Sequence, residues 1–118
     1  MTPIQAKTFM SEAYEQVRHM HHTAINIPVH DILGEFYKGW DELTDRFVET
    51  YSGAYEDIHG SMLFSVSENV DPIGYIRSIK EFCVEAQEMC LQDPDLLNIL
   101  ADMIELCNHT VHLLKRAY

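Results

Sequence analysis

Two histidines three residues apart, His19 and His22, precede a third at His30, and the carboxylates Asp41, Asp45 and Glu49 follow at four-residue steps. Imidazole and carboxylate are the side chains that suit iron, zinc and manganese. Helical spacing puts His30, Asp41, Asp45 and Glu49 on neighbouring positions of one face, turned away from the apolar stripe of their own helix. His19 and His22 likewise face away from the core stripe of the helix before it. One chain cannot close a site from these groups, because His30 and Asp45 lie about 22 Å apart along a helix axis. A second copy running antiparallel across a two-fold axis would bring His30 of one chain to Asp45 or Glu49 of the other, giving two equivalent sites. The axis would pass near positions 37 to 40. Gly34, on the same face, would let two backbones come close. The competing reading is plainer: outward carboxylates are solvated, and the seven histidines of the chain place a few together by chance.

Four helical stretches must position these groups. The first runs from about Pro3 to Ile25, with Thr2-Pro3 as cap and first-turn proline and Phe9, Met10, Ala13, Val17, Met20 and Ala24 on one face. The second runs from Pro28 to Tyr51, with Val29, Leu33, Phe36, Trp40, Leu43 and Phe47 at 4-3-4-3-4 spacing. Ser52-Gly53 reads as its stop. Gly34 and Gly39 inside it each cost about 1 kcal/mol of helix propensity, so another backbone is expected to approach at one of them. Residues 54–70 read as a loop with room for a single helical turn. Asp71-Pro72 opens the third helix, with Ile73, Ile76, Ile79, Cys83, Ala86 and Cys90 inward. Asp93-Pro94 opens the fourth, which runs to Arg116 with a wide apolar face from Leu96 to Leu114. Short, long and short connections predict a single domain over residues 1–118. Its expected class is all-α, an antiparallel four-helix bundle of the ferritin-like kind, with the longer connection between helices 2 and 3 crossing the bundle. An up-down-up-down bundle is the competing arrangement.

Composition narrows the function classes. The 118 residues carry 19 Asp and Glu against 8 Lys and Arg, a formal net charge of -11. That balance argues against binding nucleic acid or anionic membrane through bulk charge. An apolar fraction of 47% is enough for a core. No apolar run approaches a membrane span, and the N-terminal stretch does not read as a signal peptide. Three cysteines, an odd number with no Cys-x-x-Cys, point to reduced thiols and a cytoplasmic setting. Cys83, Cys90 and Cys107 read as buried small hydrophobes. His109 and His112 read as a surface pair. No phosphate-binding glycine loop or nucleophilic triad is visible.

The stretch from His19 to Glu49 resembles the first two helices of the Dps family, the ferritin-like DNA-protection proteins of starved cells. It is more similar still to small Dps-like proteins encoded by tailed bacteriophages. Their pattern of a histidine pair, a histidine, Phe-Tyr, Asp-x-x-x-Glu and Tyr-x-Gly-x-Tyr is met by His19/His22, His30, Phe36-Tyr37, Asp45/Glu49 and Tyr51-Ser52-Gly53-Ala54-Tyr55. The resemblance implies a ferroxidase-type iron site between two subunits, with His22 (or His19) and His30 from one chain and Asp45 and Glu49 from the other. Such a site binds ferrous iron and passes electrons to peroxide or oxygen. The family's further acidic ligand, four residues after the His30 position, is Gly34 here. Its lysine-rich N-terminal tail has no counterpart, Lys7 being the only basic residue before Arg18, so direct DNA binding is not expected.

The reading is therefore an iron-binding homodimer or larger homo-oligomer, with zinc or manganese as other metals for the site. No membrane partner is expected, and the cytoplasm is that of a bacterial host if a phage encodes the chain. The alternative is a non-catalytic, acidic, phage-type protein that binds a host protein on the same scaffold.

Overall fold

A computed structural model of the chain describes residues 1–118. It contains four helices and no strand: α1 (Pro3–Thr23), α2 (Ile27–Ala54), α3 (Pro72–Met89) and α4 (Pro94–Ala117). Each of the four prolines sits at the first or second position of a helix, where no backbone N–H is required. Each start also has a side-chain cap. Thr2 and Gln5 form a reciprocal capping box. Asn26 accepts from the Val29 N–H, Asp71 from Gly74, and Asp93 from Asp95 and Leu96.

The helices pack in the cyclic order α1–α2–α4–α3, with α1 diagonal to α4 and α2 diagonal to α3. The tight connection at residues 24–26 makes α1 and α2 antiparallel. Residues equidistant from it therefore face each other: Tyr14 meets Tyr37 edge-on with ring centres 5.5 Å apart, and the Trp40 indole N–H donates to the Met10 carbonyl at 2.9 Å. The start of α2 meets the end of α4 through an Asn26–Ala117 hydrogen bond, and its end meets the start of α4 through Tyr55–Asp93. α2 and α4 thus run in opposite directions.

The chain leaves α2 at the foot of the bundle and must enter α3 at the top. Residues 55–71 make that passage alongside α1. Gly60 lies against Ile4, the Ser11 hydroxyl meets Met62 Sδ, Gln16 binds Ser67 and His19 binds Glu68. The long connection therefore crosses the length of the bundle, and the helix directions are up, down, down, up. Gln16 is the main fastening. It is 3% exposed, and its amide takes both main-chain groups of Ser67, accepting from the N–H at 2.8 Å and donating to the carbonyl at 3.0 Å. Gly60 adopts φ 134 with Ile4 Cγ1 only 2.8 Å from where a Cβ would sit, so neither its backbone angle nor its surroundings admit a side chain.

The core is one cluster of 22 residues drawn from all four helices. Trp40, Phe36 and Phe47 lie at its centre, with Leu33, Met10, Val17, Ile76, Ile79, Leu100, Met103 and Leu114 around them. All three cysteines are buried there with free thiols. A hydrogen bond with the neighbouring Cys107, and then burial, push the Cys83 thiol far up.

Several boundaries differ from expectation. α1 stops at Thr23 rather than Ile25, leaving Ile25 exposed at the turn. α2 runs through Ser52-Gly53 to Ala54, and its last main-chain bond is from the Tyr55 N–H to the Tyr51 carbonyl. Gly53 has helical φ and nothing within 4 Å of its Cα side. It is a helical residue and not a stop, and the tilted contact of the Tyr51 and Tyr55 rings, 5.0 Å apart, carries the last turn past it. The helical turn considered for residues 54–70 does not form. What approaches Gly34 and Gly39 is also different from expectation: side chains rather than backbones, the His21 ring at Gly34 and Leu106 at Gly39.

Candidate functional site

The functional groups lie on the outer α1–α2 face, in two clusters. The upper cluster is built on His21 and His30, which face each other because they lie three residues before and four residues after the 24–26 turn. Their rings stack with centres 3.9 Å apart and planes 21° from parallel. His21 Nδ1 lies 2.6 Å from the His30 carbonyl, and His30 Nδ1 lies 2.7 Å from the His21 carbonyl. A carbonyl can only accept, so each Nδ1 carries a proton and Nε2 is the ring nitrogen left for a further partner. The backbone gains from this arrangement as well. The His21 carbonyl falls in the last turn of α1, where no intrahelical donor remains, and the His30 imidazole supplies one. Tyr37 closes the cluster edge-on to His21 at 5.3 Å, and the exposed His22 lies beside it with its ring 5.4 Å from His21.

Gly34 makes the pair possible. A Cβ there would lie 2.8 Å from His21 Cε1 and 3.0 Å from Nδ1. Any side chain at 34 would displace the ring. The His21 imidazole thus fills the space that an acidic residue at this position would need.

The lower cluster is acidic. Asp45 and Glu49 are exposed and line a cleft of about 440 Å³ together with Asp41, Glu15 and Tyr14. Met62 and Phe64 of the crossing segment form its far wall. The Thr44 hydroxyl, buried in the cleft side, has no hydrogen-bond partner. Partial desolvation, reinforced by the charges of Asp45 and Glu42, raises the Asp41 carboxyl above its usual range. Burial and then Asp41 raise the Tyr14 phenol. Tyr14 and Tyr37 link the two clusters edge to edge.

The residues expected to act together are only partly assembled. His30 is held, with Nε2 free. His22 is exposed and unengaged. His19 turns the other way, its Nε2 2.9 Å from Glu68 Oε1 on the crossing segment. Asp45 and Glu49 share the acidic cleft, away from the histidines. No three His, Cys, Asp or Glu side chains within one chain converge closely enough to hold a metal ion. His21, absent from the expected set, is the residue that organises the histidine cluster. Its signal in the sequence is its distance from the turn, within one residue of that of His30, together with a glycine one helical turn beyond His30.

No helix is long and apolar enough to cross a membrane. No curated protein and no solved structure matches the chain. Residues 21–114, which begin at the histidine cluster and take in all of α2 and α3 and most of α4, match the model of a family of unknown function, DUF5856, and the chain belongs to that family.

Proposed function

We propose that the chain is a ferritin-like, Dps-like metal-binding protein in which two copies hold iron between their α1–α2 faces. The observation that carries this reading is the reciprocal His21–His30 lock. Ligand histidines typically donate their second ring nitrogen to a carbonyl or carboxylate, which fixes both tautomer and orientation. Both rings meet that condition through main-chain carbonyls and keep Nε2 for a ligand. The long connection crossing the bundle supports the ferritin-like assignment.

The donor chemistry fits iron. His30 and the exposed His22 would come from one copy, and Asp45 and Glu49 from the other. Imidazole with carboxylate suits this metal and also zinc or manganese. Gly34 replaces the further acid of the Dps pattern, so the histidine end is poorer in carboxylate, and His21 holds His30 in place instead. Bound iron would supply the electron transfer to peroxide or oxygen. The protein's part is to fix the imidazoles, to present two carboxylates whose charge attracts a cation, and to leave the α1–α2 face open to a second copy.

The test is an anaerobic ferrous titration with metal analysis on the wild type, His30→Ala and Asp45→Ala. Stoichiometric binding, weakened at least about tenfold by either substitution, is the expected result. A wild type that takes up no ferrous iron, zinc or manganese contradicts the proposal. The acidic cleft favours a second reading, a non-catalytic surface for a basic partner protein, because Met62 and Phe64 add apolar area beside Asp41 and Asp45. Under that reading Asp45→Ala weakens partner binding while His30→Ala does not.

A further inference from the structure

On the opposite side of the bundle, α3 and α4 enclose a pocket of about 350 Å³ floored by Cys107 and Val111. Arg77 and Lys80 of α3 and Lys115 and Arg116 of α4 line it, with His112 beside them. These are four of the eight Lys and Arg of the chain, gathered on one pocket of a protein with net charge -11. No carboxylate lines the pocket. None of the three ion pairs, Arg18–Glu15, His19–Glu68 and Arg46–Asp102, involves any of the four cations.

Lys115 and Arg116 alone would have a simple explanation, since cations favour a helix C-terminus, and Arg116 Nη1 caps the His112 carbonyl at 3.2 Å. Arg77 and Lys80 have no such reason. They lie in the N-terminal half of α3, beyond the reach of its terminus, and neither has an acidic partner to offset their mutual repulsion. In a chain with 19 carboxylates to choose from, cations that converge without one leave an anion to complete the charge balance.

We propose that this α3–α4 pocket binds a small phosphorylated anion, either free phosphate or diphosphate or the phosphate end of a nucleotide. Arg77 and Arg116 offer planar forks that match phosphate oxygens in pairs, and Lys80 and Lys115 add point charges from either wall. The size of the pocket suits a compact ligand. A nucleic-acid strand fits poorly, because beyond the pocket it would meet a surface with 19 carboxylates and only the four remaining Lys and Arg. The pocket is independent of the α1–α2 face.

Calorimetric titration of the full chain with inorganic phosphate, pyrophosphate and ADP tests the proposal. Saturable binding of at least one is expected, weakening as salt is raised. Lys80→Gln with Lys115→Gln weakens it at least about tenfold, whereas Lys7→Gln with Lys38→Gln leaves it unchanged. ADP binding more tightly than pyrophosphate identifies a nucleotide site; equal or weaker ADP binding identifies a bare phosphate site. Circular dichroism confirms that both double variants fold, as expected for substitutions of surface side chains. Three results each overturn the proposal: no saturable binding of any of the three anions, equal binding by the Lys80/Lys115 variant, or binding of duplex DNA alone.

Discussion

The imidazole of His21 lies face to face with that of His30, and each ring donates its Nδ1 proton to the other residue's main-chain carbonyl. The pair depends on Gly34, so substitution there has a sign set by His21. Gly34→Ala drives the ring out and forfeits the His21 Nδ1 bond to the His30 carbonyl, worth about 1 kcal/mol net, together with the stacking of the two rings. The gain in helix propensity, about 1 kcal/mol, offsets the hydrogen bond but not the lost stacking. In a His21→Ala background nothing opposes the new methyl, and the same change stabilises by up to about 1 kcal/mol. Urea denaturation of the four proteins gives the coupling directly. Equal effects of Gly34→Ala in both backgrounds would mean the rings do not occupy this site.

Gln16 ties the crossing segment to α1 through both main-chain groups of Ser67. Gln16→Leu keeps the volume but removes both hydrogen bonds to the main chain of the exposed Ser67. A loss of about 1–3 kcal/mol is expected, together with faster proteolysis between residues 56 and 70. Unchanged protease sensitivity would show that the segment is held by something else.

The start of α4 carries an acid-sensitive contact. The Leu96 N–H, the Tyr55 hydroxyl and the Asp95 N–H all bind the Asp93 carboxylate and hold its pKa below the ordinary value of 3.8. A carboxyl depressed on folding stabilises above its unfolded pKa, and that contribution disappears as pH falls through the lowered folded value. Asp93→Asn keeps a capping acceptor but removes the charge. Thermal melts from pH 6 down to pH 2 should therefore fall less steeply for the variant. Parallel curves would refute the assignment.

The starts of α1, α3 and α4 were legible because each combines a capping side chain with a proline, Thr2-Pro3, Asp71-Pro72 and Asp93-Pro94, whereas α2, expected from Pro28, begins one residue earlier behind the Asn26 cap. The core stripes were legible because burial follows helical period, and Trp40, Phe36 and Phe47 lie where their spacing puts them. The end of α2 was not. Glycine permits a left-handed stop without compelling one, and Tyr51 against Tyr55 favours another turn. The course of residues 55–71 was hidden for a different reason: it is set by separate tertiary contacts with Ile4, Ser11, Gln16 and His19, which have no period. The role of His21 was hidden likewise. Periodicity sorts residues around one helix, but the register between two helices depends on the length of the turn that joins them.

If metal is held between two copies, with imidazole from one and carboxylate from the other, a mixture of two complementary variants restores what each lacks. His30→Ala and Asp45→Ala chains each lack one ligand of every site, so each alone should bind ferrous iron at least about tenfold more weakly than wild type. Refolded together in equal amounts, they form mixed pairs in which one site regains both halves, and binding should return to about one quarter of the wild-type capacity. If the mixture binds no more iron than the separate variants, while wild type binds stoichiometrically, the ligands do not come from two copies and the account is wrong.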